Sequence, residues 1–359
     1  CSYAVRVAAT RTSTDKSFLV LFSKKELLSS FVFLLSQRVQ TRPIMLRALA
    51  AVLLLGSLSA TALMIVWSGA QGVGDAMWRG LPALPPALAV HAAQLGISGY
   101  GWWLLLPRKR PRRSTLLLTR WVRESLNTAL PLAGIGGGVA ATRLLARDAG
   151  LSMAQATAAT AGDLTCEAIA QAPYLIAALA VVALLAPGAL TPARAVLAVL
   201  PIALAAAAFV AAQRLGLMRL IERATRRFGF GTAMEGLHDA LMALHARPAD
   251  VTRAITLHTL SWSLGGAEVW VILNAIGHPV GPGAAFAIEG LGMAARSLGF
   301  ALPSGLAAQE AGFVVACAAF GVPANDAVAL SLVKRLRELI VATAGIGAWR
   351  LALRRPVAP

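Results

Sequence analysis

The sequence predicts an all-α polytopic membrane protein with about six transmembrane helices plus two re-entrant broken hairpins, arranged as an inverted repeat. Three observations predict it. First, the chain is 57% hydrophobic and only 14% charged, with a mean hydropathy of +0.69, too apolar for a soluble domain. Second, the arginines behind its formal net charge of +17 fall in short blocks between apolar runs. That is the pattern of cytoplasmic loops rather than of a nucleic-acid-binding face, so no nucleic-acid partner is expected. Third, the stretch from Arg123 to Ile169 recurs as Arg296 to Ile340.

In the recurrence, Ser125-Leu126-Asn127-Thr128-Ala129-Leu130-Pro131 aligns with Ser297-Leu298-Gly299-Phe300-Ala301-Leu302-Pro303. Each Pro precedes a glycine-bearing segment, Gly134 to Gly138 in one copy and Ser304-Gly305 in the other. A one-residue shift then places Gly150 on Gly321, Asp163 on Lys334 and Glu167 on Glu338. Paired Pro/Gly-interrupted segments in corresponding halves of a membrane chain point to a substrate site.

Taken in order, residues 1–44 differ in kind, holding Lys16, Lys24 and Lys25 where the remainder relies on Arg. They are expected to be upstream sequence ahead of a start at Met45, or else a targeting or surface segment; residues 45–359 are expected to form a single membrane domain. Ala48 to Trp67 is long enough to span, with Arg42 and Arg47 setting its start on the cytoplasmic side. A loop containing Gly72, Gly74, Pro82, Pro85 and Pro86 is expected next, and then a return span from Ala87 to Leu106. The block Arg108 to Arg113 fixes the end of that span in the cytoplasm. From there to Arg143 and Arg147 the chain is basic at both ends and broken at Pro131, which predicts the first re-entrant hairpin.

Ser152 to Ala186 crosses outward, and Ala193 to Ala212 crosses back. Arginines from Arg214 to Arg253 mark a cytoplasmic segment, residues 214–253. Ile255 to Ile276 crosses outward again, the second broken hairpin covers Ala284 to Phe320, and Ala327 to Trp349 ends inward at Arg350. The repeat units are thus about 87–186 and 255–349. Both termini fall in the cytoplasm, and the hairpins open to opposite faces.

Ionisable residues within spans cost at least ~2.5 kcal/mol each at the bilayer centre, so they are expected to be functional or paired. Arg123, Glu124, Arg296 and Glu310 lie in or beside the hairpins. Asp163, Glu167, Lys334, Arg335, Arg337 and Glu338 lie on the long spans, with Glu268 and Glu289 on or near the fifth. The plainer reading for Arg123, Arg337 and Glu338 is that they snorkel to an interface. The repeat alignment predicts that Asp163 pairs with Lys334 or Arg335. The glycines from Gly134 to Gly138 fit close helix packing, with a phosphate cradle on their N–H groups as the functional reading. The five histidines show no ligand spacing. No metal, cofactor or catalytic residue is expected.

Arg120-Trp121-Val122-Arg123-Glu124-Ser125-Leu126-Asn127, followed by Leu130-Pro131 and Gly136-Gly137, and later Leu302-Pro303-Ser304-Gly305 through Gln309-Glu310-Ala311-Gly312, carry a family resemblance. With them the chain resembles the membrane region of lysylphosphatidylglycerol synthase/flippase proteins, especially the stand-alone branch associated with hopanoid biosynthesis. Such families place Glu after the first Gly-Gly, where Gly138 stands here. The resemblance implies a non-enzymatic, flippase-like protein of a bacterial inner membrane. Its expected partners are membrane lipids, hopanoids or charged phospholipids, together with hopanoid biosynthesis enzymes. The expected substrate-binding set is Arg123, Glu124, Asn127, Pro131, Gly136, Gly137, Asp163, Arg296, Pro303, Ser304, Gly305, Glu310, Lys334 and Arg335. The alternative is a scaffold that docks lipid-biosynthesis enzymes through residues 214–253 without transporting anything.

Overall fold

The computed structural model describes residues 55–56, 58–107, 111–129, 135–189, 191–217, 219–220, 222–223, 236–298 and 308–353. They form helices, with no strand among the described residues. A short apolar helix, α1 (Leu58–Trp67), lies within the first predicted span. The predicted loop after it is instead helical: α2 (Ala70–Gly80), then a 3-10 turn (Leu81–Ala83) running into α3 (Leu84–Leu105). The prolines explain the difference. Pro82, Pro85 and Pro86 fall in first turns, where a missing N–H breaks no helical hydrogen bond, so they start helices instead of interrupting them.

The first predicted hairpin is α4 (Arg113–Ala129) packed on α5 (Ile135–Ala149). A long helix, α6 (Met153–Leu185), follows. Its start is fixed by a capping box: Gln155 N–H donates to Ser152 Oγ, and the Ser152 N–H donates to Gln155 Oε1. At 33 residues it is about 50 Å long, more than the ~30 Å hydrocarbon core of a bilayer. Helix α7 (Pro192–Arg214) returns along it, with Val196, Leu197, Leu200 and Leu204 exposed on its outer side. That face suits lipid rather than water.

Helix α8 (Leu237–His245) lies within the predicted cytoplasmic segment. The fifth predicted span begins earlier and bends: α9 (Pro248–Ser263) and α10 (Gly265–Ile276) meet at Leu264, whose backbone stays helical (φ −64°, ψ −20°). The bend sits at a close approach. A Cβ on Gly266 would lie 2.7 Å from the Cα of Phe286 on the next helix, so α10 and α11 (Pro282–Leu298) touch through backbone there. The second hairpin pairs α11 with α12 (Ala308–Ala318), and α13 (Ala324–Leu353) closes the chain.

The halves are interleaved. Helices α5 and α12 each pack on the long helix that follows them, α6 and α13, whereas α4 packs on α13 and α11 on α6. Trp121 Nε1 of α4 donates to Val341 O of α13 at 3.0 Å, and Gln171 of α6 hydrogen-bonds Ser297 of α11. The turns out of the two hairpins also correspond: Gly150 and Gly321, matched in the repeat, both adopt left-handed backbone (φ +61° and +73°). The largest apolar core gathers Ile272, Leu273, Ile276, Ile288, Phe313 and Leu330 beside the second hairpin. Trp102, Leu106, Leu116 and Leu145 form its counterpart beside the first.

Candidate functional site: three buried ion clusters

The hairpin helices carry arginines, the long helices carry charges of both signs, and the interleaving brings them together in three clusters. In the first, Arg120 and Arg123 stand three residues apart on α4 and so share a face, as do Asp163 and Glu167, four apart on α6. Arg120 reaches Asp163 Oδ2 at 3.1 Å and Glu167 Oε1 at 2.5 Å. Arg123 reaches Asp163 Oδ2 at 2.5 Å and Glu167 Oε2 at 2.8 Å, and lies over the Trp102 ring. From α9, His258 Nε2 meets Asp163 Oδ1 at 2.9 Å; neither side chain has any exposed surface. Asp163, Glu167 and His258 are close enough to offer ligands to one metal ion. The two guanidinium groups already sit on the carboxylate oxygens, which balances the cluster as it stands.

The second cluster joins five helices. Lys334 Nζ of α13 lies 2.9 Å from Glu268 Oε2 of α10 and 3.0 Å from Glu289 Oε2 of α11. One turn on, Arg337 donates from Nε to Glu268 Oε1 (2.8 Å) and from Nη2 to Glu268 Oε2 (3.1 Å). Its Nη1 lies 3.0 Å from Nδ1 of His91 on α3, whose Nε2 lies 2.9 Å from Glu124 Oε1 of α4.

The third cluster belongs to the second hairpin. Arg296 of α11 donates to Glu338 Oε1 (3.0 Å) and Gln309 Oε1 (3.2 Å). Arg335 donates to Glu338 Oε2 (2.6 Å), Gln309 Oε1 (2.9 Å) and Glu310 Oε1 (3.2 Å), and Ser331 Oγ donates to Glu310 as well. It is the most accessible of the three at its cation, the Arg296 side chain being 29% exposed against 5% for Arg123.

The predicted residues thus fall into place unevenly. Arg123 and Asp163 meet, and Arg296, Glu310 and Arg335 share a cluster. Glu124 and Lys334 lie at opposite ends of the second cluster. Asp163 does not pair with Lys334 or Arg335: its oxygens are taken by Arg120, Arg123 and His258, while Lys334 serves Glu268 and Glu289. Equivalence in a repeat fixes matching positions, not contact, and neighbouring helices supplied nearer charges. Asn127 Oδ1 accepts from the Gly137 N–H at 3.0 Å, and a side chain at Gly137 would strike the Arg123 carbonyl. Gly137 is therefore a close-packing residue, with its N–H occupied. Gly136 lies beside it in the first turn of α5. Pro131, Pro303, Ser304 and Gly305 fall outside the described residues.

Sequence reasoning missed Arg120, His91, His258 and Gln309 as participants. Arg120 was detectable, being one turn before Arg123 in the same motif. The histidines were not, because their partners lie on distant helices.

A family model described as the lysylphosphatidylglycerol synthase TM region matches residues 27–345, a range that opens within the stretch ahead of Met45. No curated protein and no solved structure matches the chain.

Proposed function

The chain belongs to the lysylphosphatidylglycerol synthase TM-region family, a polytopic membrane family tied to lipid synthesis or flipping, and from that premise we propose that it translocates lipids with a phosphate-bearing head group across a bacterial inner membrane. The observation that carries this reading is the third cluster, where Arg296 and Arg335 converge on Glu338 and Gln309 with Arg296 partly accessible. A guanidinium binds phosphate with the same forked geometry as carboxylate. A head group arriving at Arg296 can therefore take the place of Glu338 while Arg335 keeps that carboxylate neutralised. Exchange of one anion for another avoids stranding a buried charge, the step that would otherwise be prohibitive. A neutral lipid such as an uncharged hopanoid would use none of these cations, so an anionic or zwitterionic phospholipid is the better cargo. Arg123, saturated by two carboxylates, acts in this reading as a structural tie between hairpin and long helix. The interleaved, repeat-related hairpins would give the site access to each leaflet in turn.

The test is reconstitution into phosphatidylcholine vesicles carrying fluorescent phosphatidylglycerol, scored by dithionite quenching of the outer leaflet. Exchange above that of empty vesicles, reduced about ten-fold in Arg296→Gln for the loss of one charge-assisted contact of ~1.5 kcal/mol, is the expected result. Wild-type vesicles indistinguishable from empty ones would overturn the reading and leave the scaffold alternative.

A further inference from the structure

The second cluster differs from the other two in its charge balance. The first and third each match two cations with two carboxylates. The second sets Lys334 and Arg337 against Glu124, Glu268 and Glu289. The surplus is one negative charge, which one proton would remove.

His91 stands where that proton would act. It is 6% exposed and lies between Glu124 and Arg337. Its Nδ1 has two neighbours of opposite kind: the Arg337 Nη1 donor at 3.0 Å and the Gln94 Oε1 acceptor at 3.3 Å. A neutral ring protonated on Nε2 can accept from Arg337 through the Nδ1 lone pair while Nε2 stays close to Glu124. An imidazolium cannot accept. Adding one proton at Nδ1 turns that nitrogen into a donor, directs it to Gln94, and sets it against the Arg337 N–H. Gln94 is held ready for this, since its Nε2 donates to Ser261 O of α9 at 2.9 Å, leaving Oε1 turned to the ring.

We propose that His91 is a proton-binding switch that couples the two hairpins, holding Arg337 when neutral and releasing it when charged. This rests on the lipid-translocating reading above and adds a pH response to it. Glu124, with its side chain 33% exposed, lies on α4 of the first hairpin and faces the Nε2 side of the ring. Arg337, once released by His91, keeps its hydrogen bonds to Glu268, which shares Lys334 with Glu289 on α11 of the second hairpin. Other charged groups on the helices around α3 are already engaged: Arg120 of α4 and His258 of α9 are committed to Asp163 and Glu167 of α6.

Two measurements on the full chain decide it. In the vesicle assay with fluorescent phosphatidylglycerol, wild-type exchange should change by about three-fold or more between pH 7.5 and 5.5, and His91→Gln by less than about 1.5-fold. Exchange that does not depend on pH in the wild type, or a His91→Gln variant that keeps the wild-type response, overturns the switch while leaving translocation standing. In detergent, the thermal-unfolding midpoint is followed over the same pH range, where no lipid movement is needed. The wild-type profile should inflect; the other histidines are common to all variants, so the difference from His91→Gln isolates this ring. Gln94→Leu, which removes only the acceptor of the charged form, should shift the inflection to lower pH. Superimposable profiles for wild type and Gln94→Leu would reject the proposal even if His91→Gln fails to fold, and even if no lipid moves.

Discussion

Asp163 has no exposed side-chain surface and takes contacts from Arg120, Arg123 and His258, so neutralising it strands guanidinium charge where water cannot reach. Asp163→Asn should cost ~3 to 5 kcal/mol, read as a lower thermal midpoint and less monodisperse protein in detergent. Combining Asp163→Leu with Arg123→Met should recover a large part of that loss. Asp163 and Lys334 belong to different clusters, so their double mutant should instead be additive within ~0.5 kcal/mol. At this scale the sequence was half legible. A charged residue inside an apolar run announces itself, and Asp163, Lys334, Glu310 and Arg335 were all marked as buried charges before any fold was known. Which charge meets which depends on helix neighbours, and no spacing along one helix encodes that. His91 illustrates the limit: alone on α3, it gains its meaning from Glu124 and from Arg337, the latter 246 residues away.

Among elements, the boundaries followed local chemistry where that chemistry was unambiguous. Ser152 and Gln155 form a reciprocal cap at the start of α6, and Ser152→Ala should lower stability by ~1 kcal/mol in thermal melts. Prolines were misread as loop markers before α3, because the same residue that breaks a helix interior is welcome in its first turn. The bend between α9 and α10 was hidden for a different reason: Gly265 and Gly266 look like ordinary small residues until Phe286 and Glu289 are seen against them. Gly266→Ala would drive a methyl group into the Phe286 backbone, which cannot rotate away. It should cost ~1 to 3 kcal/mol, with a fall in midpoint that Gly74→Ala, which meets nothing within 4 Å, does not share.

For the whole molecule, apolar content and charge asymmetry in the loops were sufficient to set out a helical membrane architecture, because both follow from bilayer physics rather than from side-chain packing. The exchange of partners, α4 on α13 and α11 on α6, was not legible, since periodicity carries no information on which apolar face meets which. The inverted reading makes a direct prediction about sidedness. Reporters fused after Pro187 and Gly281 should read periplasmic, and those after Arg113 and Arg219 cytoplasmic. A cytoplasmic signal at Gly281 would remove the inversion and, with it, access from opposite leaflets.

The contact between Trp121 and Val341 spans 220 residues of chain. A ribosome adding ~5 to 20 residues per second needs about 10 to 45 seconds to deliver that partner. Throughout that interval α4 is already made, with Trp121 and Ser125 facing a place where α13 does not yet exist. The first half of this protein therefore waits in the membrane, unfinished, for the second, although Arg120 and Arg123 already meet Asp163 and Glu167 of α6 within the first half itself.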